Sequence, residues 1–144
     1  MKKRIYILPA LILTIAMSAC APAAPAQSAA ASNTIALTDQ WPDNAFTQQV
    51  PRPQDGQVVA VNQGSSQEWE FCSISLSGVT KQAAEDYLDS LGQSGFVPVS
   101  LRSETMADGS VVIGNVYQRE GCGVAVSLGG DTMAIYIALP ADRS

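Results

Sequence analysis

Apolar residues alternate with polar or small residues along four successive segments in the second half of the chain. These segments are residues 97–106, 111–119, 122–128 and 132–139. Two earlier segments, residues 58–61 and 68–77, show a similar character. Because successive side chains of a strand point to opposite faces of a sheet, alternation of this kind indicates half-buried β-strands. The pattern therefore predicts six strands, two before residue 80 and four after it.

One segment between the two groups of strands has helical spacing instead. Its apolar positions recur every three or four residues and are Ala84, Tyr87, Leu88 and Leu91, while Glu85, Asp86 and Asp89 fall on the outward face. Thr80 is a suitable N-cap, and Gly95 suits the left-handed residue that ends a helix. Phe96 then folds back onto Leu91, as in a Schellman motif. We expect one amphipathic helix here.

Together these elements predict an α+β fold in which one helix packs on an antiparallel sheet, in the order ββαββββ. If Gly129-Gly130 is a two-residue turn, the last hairpin pairs Val126 with Met133 on a core face. If Asp108-Gly109 is another such turn, Thr105 pairs with Val112. The opposite face of the last hairpin then carries only small residues and one ring, namely Gly123, Ala125, Ser127, Thr132, Ala134 and Tyr136.

The first 19 residues have a different character, with a basic start, an apolar run over residues 5–16 and small residues before Cys20. The run is too short to span a membrane as a helix, which takes about 20 residues. The segment resembles the lipobox signal of bacterial lipoproteins, in which the cysteine thiol takes a diacylglycerol and becomes the mature N-terminus. A plain secretory signal peptide followed by a chance cysteine is the alternative.

Residues 20–34 are rich in Ala, Pro and Ser and contain no charged residue, so we expect a flexible tether with a reach of about 20 Å. Residues 35–144 are enough for a single domain. Three of the eight basic residues lie in the signal, which leaves five against thirteen acidic residues, a net charge of −8. This balance argues against nucleic-acid binding and against electrostatic attraction to anionic lipid. The acylated Cys20 is then the link to the bilayer.

The chain offers little catalytic chemistry. It contains no histidine, which excludes imidazole acid–base catalysis and His-ligated zinc. A Ser–Lys dyad would have to use Lys81, the only lysine after the signal, and a solvated helix residue is the simpler interpretation. Acidic pairs such as Glu85 with Asp89 occur where surface charge is ordinary. We therefore expect no enzyme activity, no metal site and no cofactor.

Cys72 and Cys122 are the two thiols that remain once Cys20 carries lipid. Both are in phase with core positions, and an exported domain meets an oxidising compartment. The sequence therefore predicts a Cys72–Cys122 disulfide closing a long loop. Two separately buried free cysteines are the alternative.

The sequence also offers candidate contact residues. The apolar side chains of Trp41 and Phe46, in an irregular stretch, either cover an open end of the core or bind a partner. A second candidate is the small-residue face of the last hairpin, because solvated sheet faces ordinarily carry charges. Its candidate partner-binding residues are Trp69, Phe71, Ala125, Ser127, Ala134 and Tyr136, and a flat face without a binding role is the alternative.

Trp41-Pro42-Asp43-Asn44, the Val50-Pro51-Arg52-Pro53 spacer and Ser77-Gly78-Val79-Thr80 are similar to motifs in small bacterial cell-envelope lipoproteins of unknown function. The helix followed by a meander also resembles β-lactamase-inhibitor-like repeats and small outer-membrane assembly lipoproteins. The resemblance implies an exported protein, lipid-anchored to the outer face of the cell membrane or to the outer membrane. We expect it to bind a protein or glycan partner, or alternatively to be a structural or assembly subunit of an envelope complex.

Overall fold

A computed structural model describes residues 33–141 of the chain. These residues form eight strands, one α-helix and one turn of 3-10 helix over Thr47–Gln49. The first three strands are β1 (Asn33–Ala36), β2 (Gln57–Ser65) and β3 (Trp69–Ser77). The helix α1 (Lys81–Gln93) follows. The remaining strands are β4 (Val97–Ser100), β5 (Ser103–Thr105), β6 (Val111–Arg119), β7 (Cys122–Gly129) and β8 (Thr132–Pro140).

All eight strands belong to one antiparallel sheet in the order β1-β2-β3-β8-β7-β6-β4, with β5 also paired to β6. The predicted α+β class with the order ββαββββ is therefore wrong. The described chain is mostly β, its single helix lies between the third and fourth strands, and its order is βββαβββββ.

The error has two causes. The four residues of β1 pair with β2 although all four are exposed, so β1 shows no alternation of buried and exposed positions. The predicted strand over residues 97–106 is divided into β4 and β5, and Arg102 between them donates its backbone N–H to the side-chain oxygen of Asn115 at 2.7 Å. Both features depend on pairing with a neighbouring strand, which periodicity along one segment does not report.

The predicted limits of the helix are confirmed. The Thr80 hydroxyl oxygen accepts a hydrogen bond from the backbone N–H of Ala83 at 3.1 Å, as an N-cap does. At the other end Gly95 has φ +87°, and the N–H of Phe96 bonds to the carbonyl of Leu91 at 3.1 Å. This is the 6→1 bond of a Schellman motif, and it buries Phe96.

The last hairpin has the predicted faces but a different register. Gly129 pairs with Thr132, so the loop is Gly130-Asp131 and not Gly129-Gly130. Val126 therefore lies opposite Ile135, two residues from the predicted partner Met133. A shift of two keeps every side chain on its face, which is why alternation could not detect it. In the preceding hairpin Thr105 pairs with Val111 instead of Val112, because the loop contains three residues ending at Gly109.

The core lies between α1 and one face of the sheet. The helix contributes the four apolar positions expected from its spacing, Ala84, Tyr87, Leu88 and Leu91, all of them buried. The central strands contribute alternate residues, including Cys72, Ile74, Leu76, Cys122, Val124, Val126, Met133, Ile135 and Ile137. With its only described α-helix on this side, the sheet has an opposite face that the helix does not cover.

Candidate functional site

The sheet face away from α1 is built from alternate residues of five adjacent strands, β2, β3, β8, β7 and β6. Pairing places these residues in rows across the strands. One row joins Asn62, Ser73, Tyr136, Ala125 and Val116, and the next joins Ala60, Ser75, Ala134, Ser127 and Gly114. One outer row joins Gly64, Phe71, Ala138, Gly123 and Gln118. At the other end Gln57 pairs with Ser77, and Thr132 pairs with Gly129, which pairs with Val112. We call this surface the open face, and none of these residues is charged.

Five of the six sheet residues expected to contact a partner belong to the open face, and the sixth, Trp69, lies on the same side of the sheet one row beyond it, opposite Pro140. Trp69 and Phe71 extend from β3, Ala125 and Ser127 from β7, and Ala134 and Tyr136 from β8. Their neighbours differ from those expected, because the corrected register pairs Ala125 with Tyr136 and Ser127 with Ala134. Trp69 and Tyr136 are 45% and 41% exposed, so both side chains remain open to solvent.

The open face has a ridge and a hollow. The rings of Phe71 and Tyr136 stack on each other, with centroids 5.2 Å apart and planes 21° from parallel. Each ring thus turns one face toward the other and cannot offer both faces to a ligand. The neighbouring row, from Ala60 to Gly114, contains only Ala, Ser and Gly side chains and is correspondingly low.

Trp41 lies on the other side of the sheet. It is partly buried and packs with Phe46 against the core. The intervening turn is held by Asn44, whose side-chain oxygen accepts hydrogen bonds from the backbone N–H groups of Phe46 and Thr47, each at 3.0 Å. The buried Thr47 hydroxyl donates to the Pro42 carbonyl at 2.8 Å. This geometry favours the interpretation of Trp41 as a cover for the core.

The two cysteines are free thiols in the structure, both buried on the core face. Cys72 is on β3 and Cys122 on β7, and β8 lies between these strands. Two strand spacings separate their backbones by at least about 10 Å. A disulfide needs α-carbons within about 7 Å, so the predicted bridge is absent here because the sheet order keeps the thiols apart. Burial raises the pKa of both thiols, which disfavours the reactive thiolate.

The ionisable side chains around α1 make contacts that are usual on a protein surface. A groove of about 320 Å³ between α1 and the segment before β2 includes the side chains of Arg52, Asp86 and Tyr87. Asp86 accepts a hydrogen bond from Gln82 at 2.9 Å, and Lys81 pairs with Glu85 at 3.4 Å, which are ordinary contacts of a solvated helix. Within the described range, no three His, Cys, Asp or Glu side chains come together as metal ligands.

Two features of the structure could not be predicted from the sequence. Arg119 donates from its guanidinium to the carbonyl oxygens of Ser94 at 2.7 Å and Gln49 at 2.9 Å, and so joins three segments. Main-chain acceptors leave no signature in a sequence.

The second feature is the edge strand β4. It exposes Val97 and Val99, but Pro98 between them has no N–H that could pair with another strand.

No family model, curated protein or solved structure matches this chain. The resemblance to envelope lipoproteins stays a prediction, and Cys20, the predicted lipidation site, lies outside the described residues. None of the helices in residues 33–141 is long and apolar enough to span a membrane.

Proposed function

We propose that this chain is a non-catalytic lipoprotein of the bacterial cell envelope that binds a protein partner through its open face. The signal ending at Cys20 supports export and lipid anchoring, and two or three acyl chains would hold the domain on the outer side of a membrane. The observation that carries the binding role is the open face itself, an uncharged surface five strands wide.

The absence of charge supports binding because the chain as a whole is strongly acidic. Residues 20–144 carry thirteen acidic and five basic side chains, yet none of them occupies the four rows of the open face. Depletion of charge at the centre and enrichment of Tyr, Trp and Phe distinguish protein interfaces from the remaining surface.

A protein partner fits the aromatic side chains better than a glycan does. Sugar rings stack on aromatic rings that lie flat and free. Phe71 and Tyr136 are stacked on each other instead, so each has one face already covered. Side by side they form a ridge that can enter a complementary hollow, as the anchor residues of protein interfaces do.

Substituting Ala134 with Glu tests the binding role, since it places a charge in the middle of the open face. The tagged full chain is recovered from detergent-solubilised membranes with its bound proteins. We expect Ala134→Glu to lose partners that the parent chain retains. Ala107→Glu, the same substitution at an exposed position in the loop after β5, should retain them. A folded Ala134→Glu variant that keeps every partner would show that the open face is not the binding surface.

The anchor is tested separately with Cys20→Ser. We expect the parent chain to partition into the detergent phase, with a mass that includes diacylglycerol on a protein beginning at Cys20. The variant should lose both properties. Cleavage at another position without lipid would contradict the proposed anchor.

A further inference from the structure

We infer that the partner of the open face is a second copy of this chain, packed sheet against sheet. The inference rests on the proposed function, because it takes the same face as the binding surface. Three properties of that face support a copy of the chain as the occupant: its charge, its area and its relief.

The first property is charge. In a two-fold dimer the same patch meets itself, so any charge on the patch must find its complement within that patch. A domain with twelve acidic and four basic side chains in residues 33–141 would generally fail this condition. The open face meets it because its four rows contain no charged side chain at all. A partner attracted to an acidic protein by charge would select a different surface.

The second property is area. Five strands at about 4.8 Å spacing and eight or nine residues at about 3.3 Å give a patch of roughly 650 Å² on each copy. Specific protein complexes bury about 600 to 1,000 Å² per partner. The open face alone is therefore large enough for a stable dimer, without help from loops or from the edge strands.

The third property is relief. The row containing Tyr136, with the stacked Phe71 beside it, forms the ridge, and the adjacent row through Ala134 forms the hollow. A two-fold axis that lies midway between the two sheets, parallel to the rows and between the row of Tyr136 and the row of Ala134, places the ridge of each copy over the hollow of the other. The small side chains of the hollow allow sheets to approach to the usual separation of about 10 Å.

The test measures the mass of the intact lipidated protein by sedimentation, in a solvent whose density matches that of the detergent. We expect the parent chain and Ala107→Glu to sediment at twice the mass of one mature chain, and Ala134→Glu at the mass of one. Ser127→Glu, at an exposed position on the same face, gives the same comparison if Ala134→Glu does not fold. Circular dichroism establishes that each variant is folded. The parent chain and the variants are measured in the same detergent. A dimer that only the parent chain and Ala107→Glu form therefore cannot result from two chains sharing one micelle.

Two results would overturn the inference. One is a parent chain that stays monomeric at micromolar concentration, and the other is a folded Ala134→Glu or Ser127→Glu variant that remains dimeric. These results are separable from a failure of the proposed function. If the parent chain is monomeric but Ala134→Glu loses other protein partners, the open face binds a partner that is not a second copy. If Ala134→Glu retains every partner, the binding role of the open face is wrong as well.

Discussion

The guanidinium carbon of Arg119 lies 4.4 Å from the centre of the Phe96 ring, while the same group donates to the carbonyls of Ser94 and Gln49. This contact joins the end of α1, the 3-10 turn and β6. A planar guanidinium can stack on a ring and donate in two directions at once, whereas an ammonium group cannot keep all three contacts. The residue therefore acts as a structural junction.

Arg119→Lys should lower the free energy of unfolding by about 1 to 3 kcal/mol, because it leaves main-chain carbonyls without their donor. Arg102→Lys is the matched control. Arg102 is exposed and pairs only with Glu104 on the surface, so the change should be within about 0.5 kcal/mol. Urea denaturation of both variants gives the comparison, and equal stabilities would contradict the junction.

The Tyr87 hydroxyl is buried and finds no hydrogen-bond partner among residues 33–141. Burial of this group raises its pKa, because a charged phenolate would be poorly solvated there. Removing an unpaired buried hydroxyl removes its desolvation cost, so Tyr87→Phe should leave stability unchanged or raise it by up to about 1 kcal/mol. Tyr136→Phe, on the exposed open face, is the control and should be neutral. A marked loss of stability in Tyr87→Phe alone would show that the hydroxyl has a partner.

The same substitution, Trp to Ala, at Trp41 and at Trp69 distinguishes a side chain that stabilises the fold from one that binds a partner. Trp41→Ala should lower stability by about 2 to 3 kcal/mol, since the side chain packs on the core, and should leave partner binding intact. Trp69→Ala should leave stability nearly unchanged and weaken partner binding, because its side chain is exposed at the margin of the open face. Thermal melting and co-purification of both variants provide the test. Unchanged melting with lost binding in Trp41→Ala would assign recognition to the Trp41 segment instead.

We expect both buried cysteines to be free thiols in the mature protein. We expect Cys72 and Cys122 of the mature protein both to be alkylated after denaturation without a reductant. In the folded protein they should react at least about tenfold more slowly, because they are inaccessible and their raised pKa values keep them protonated. If these two positions react only after reduction, the protein contains the Cys72–Cys122 disulfide that the sequence predicts.

The helix could be predicted to the residue because its determinants are local: Thr80 caps it, and Gly95 with Phe96 ends it. The faces of β7 and β8 could be predicted because alternation reports them directly. The register between these strands could not, since a loop at residues 129–130 or 130–131 preserves both faces.

The remaining errors concern long-range pairing. Nothing within residues 33–36 marks a strand, because its hydrogen bonds go to β2. The number of cysteines and the oxidising compartment predict the disulfide, but the position of β8 between the two thiols is not visible in the sequence. The candidate face was identified because uncharged alternation is visible in the sequence. Its extent across β2 and β6 was not, since it depends on strand order.

The position of β8 between β3 and β7 has a consequence for the order of folding. β8 pairs Trp69 with Pro140 and Leu76 with Met133, contacts that close the longest loops in the sheet. Until β8 has been synthesised, no strand joins β1–β3 to β4–β7. Neither group of strands can complete the core alone. Loops of this length make closure slow. We therefore expect the described domain to fold as one unit once residues 132–140 have been synthesised, and not segment by segment.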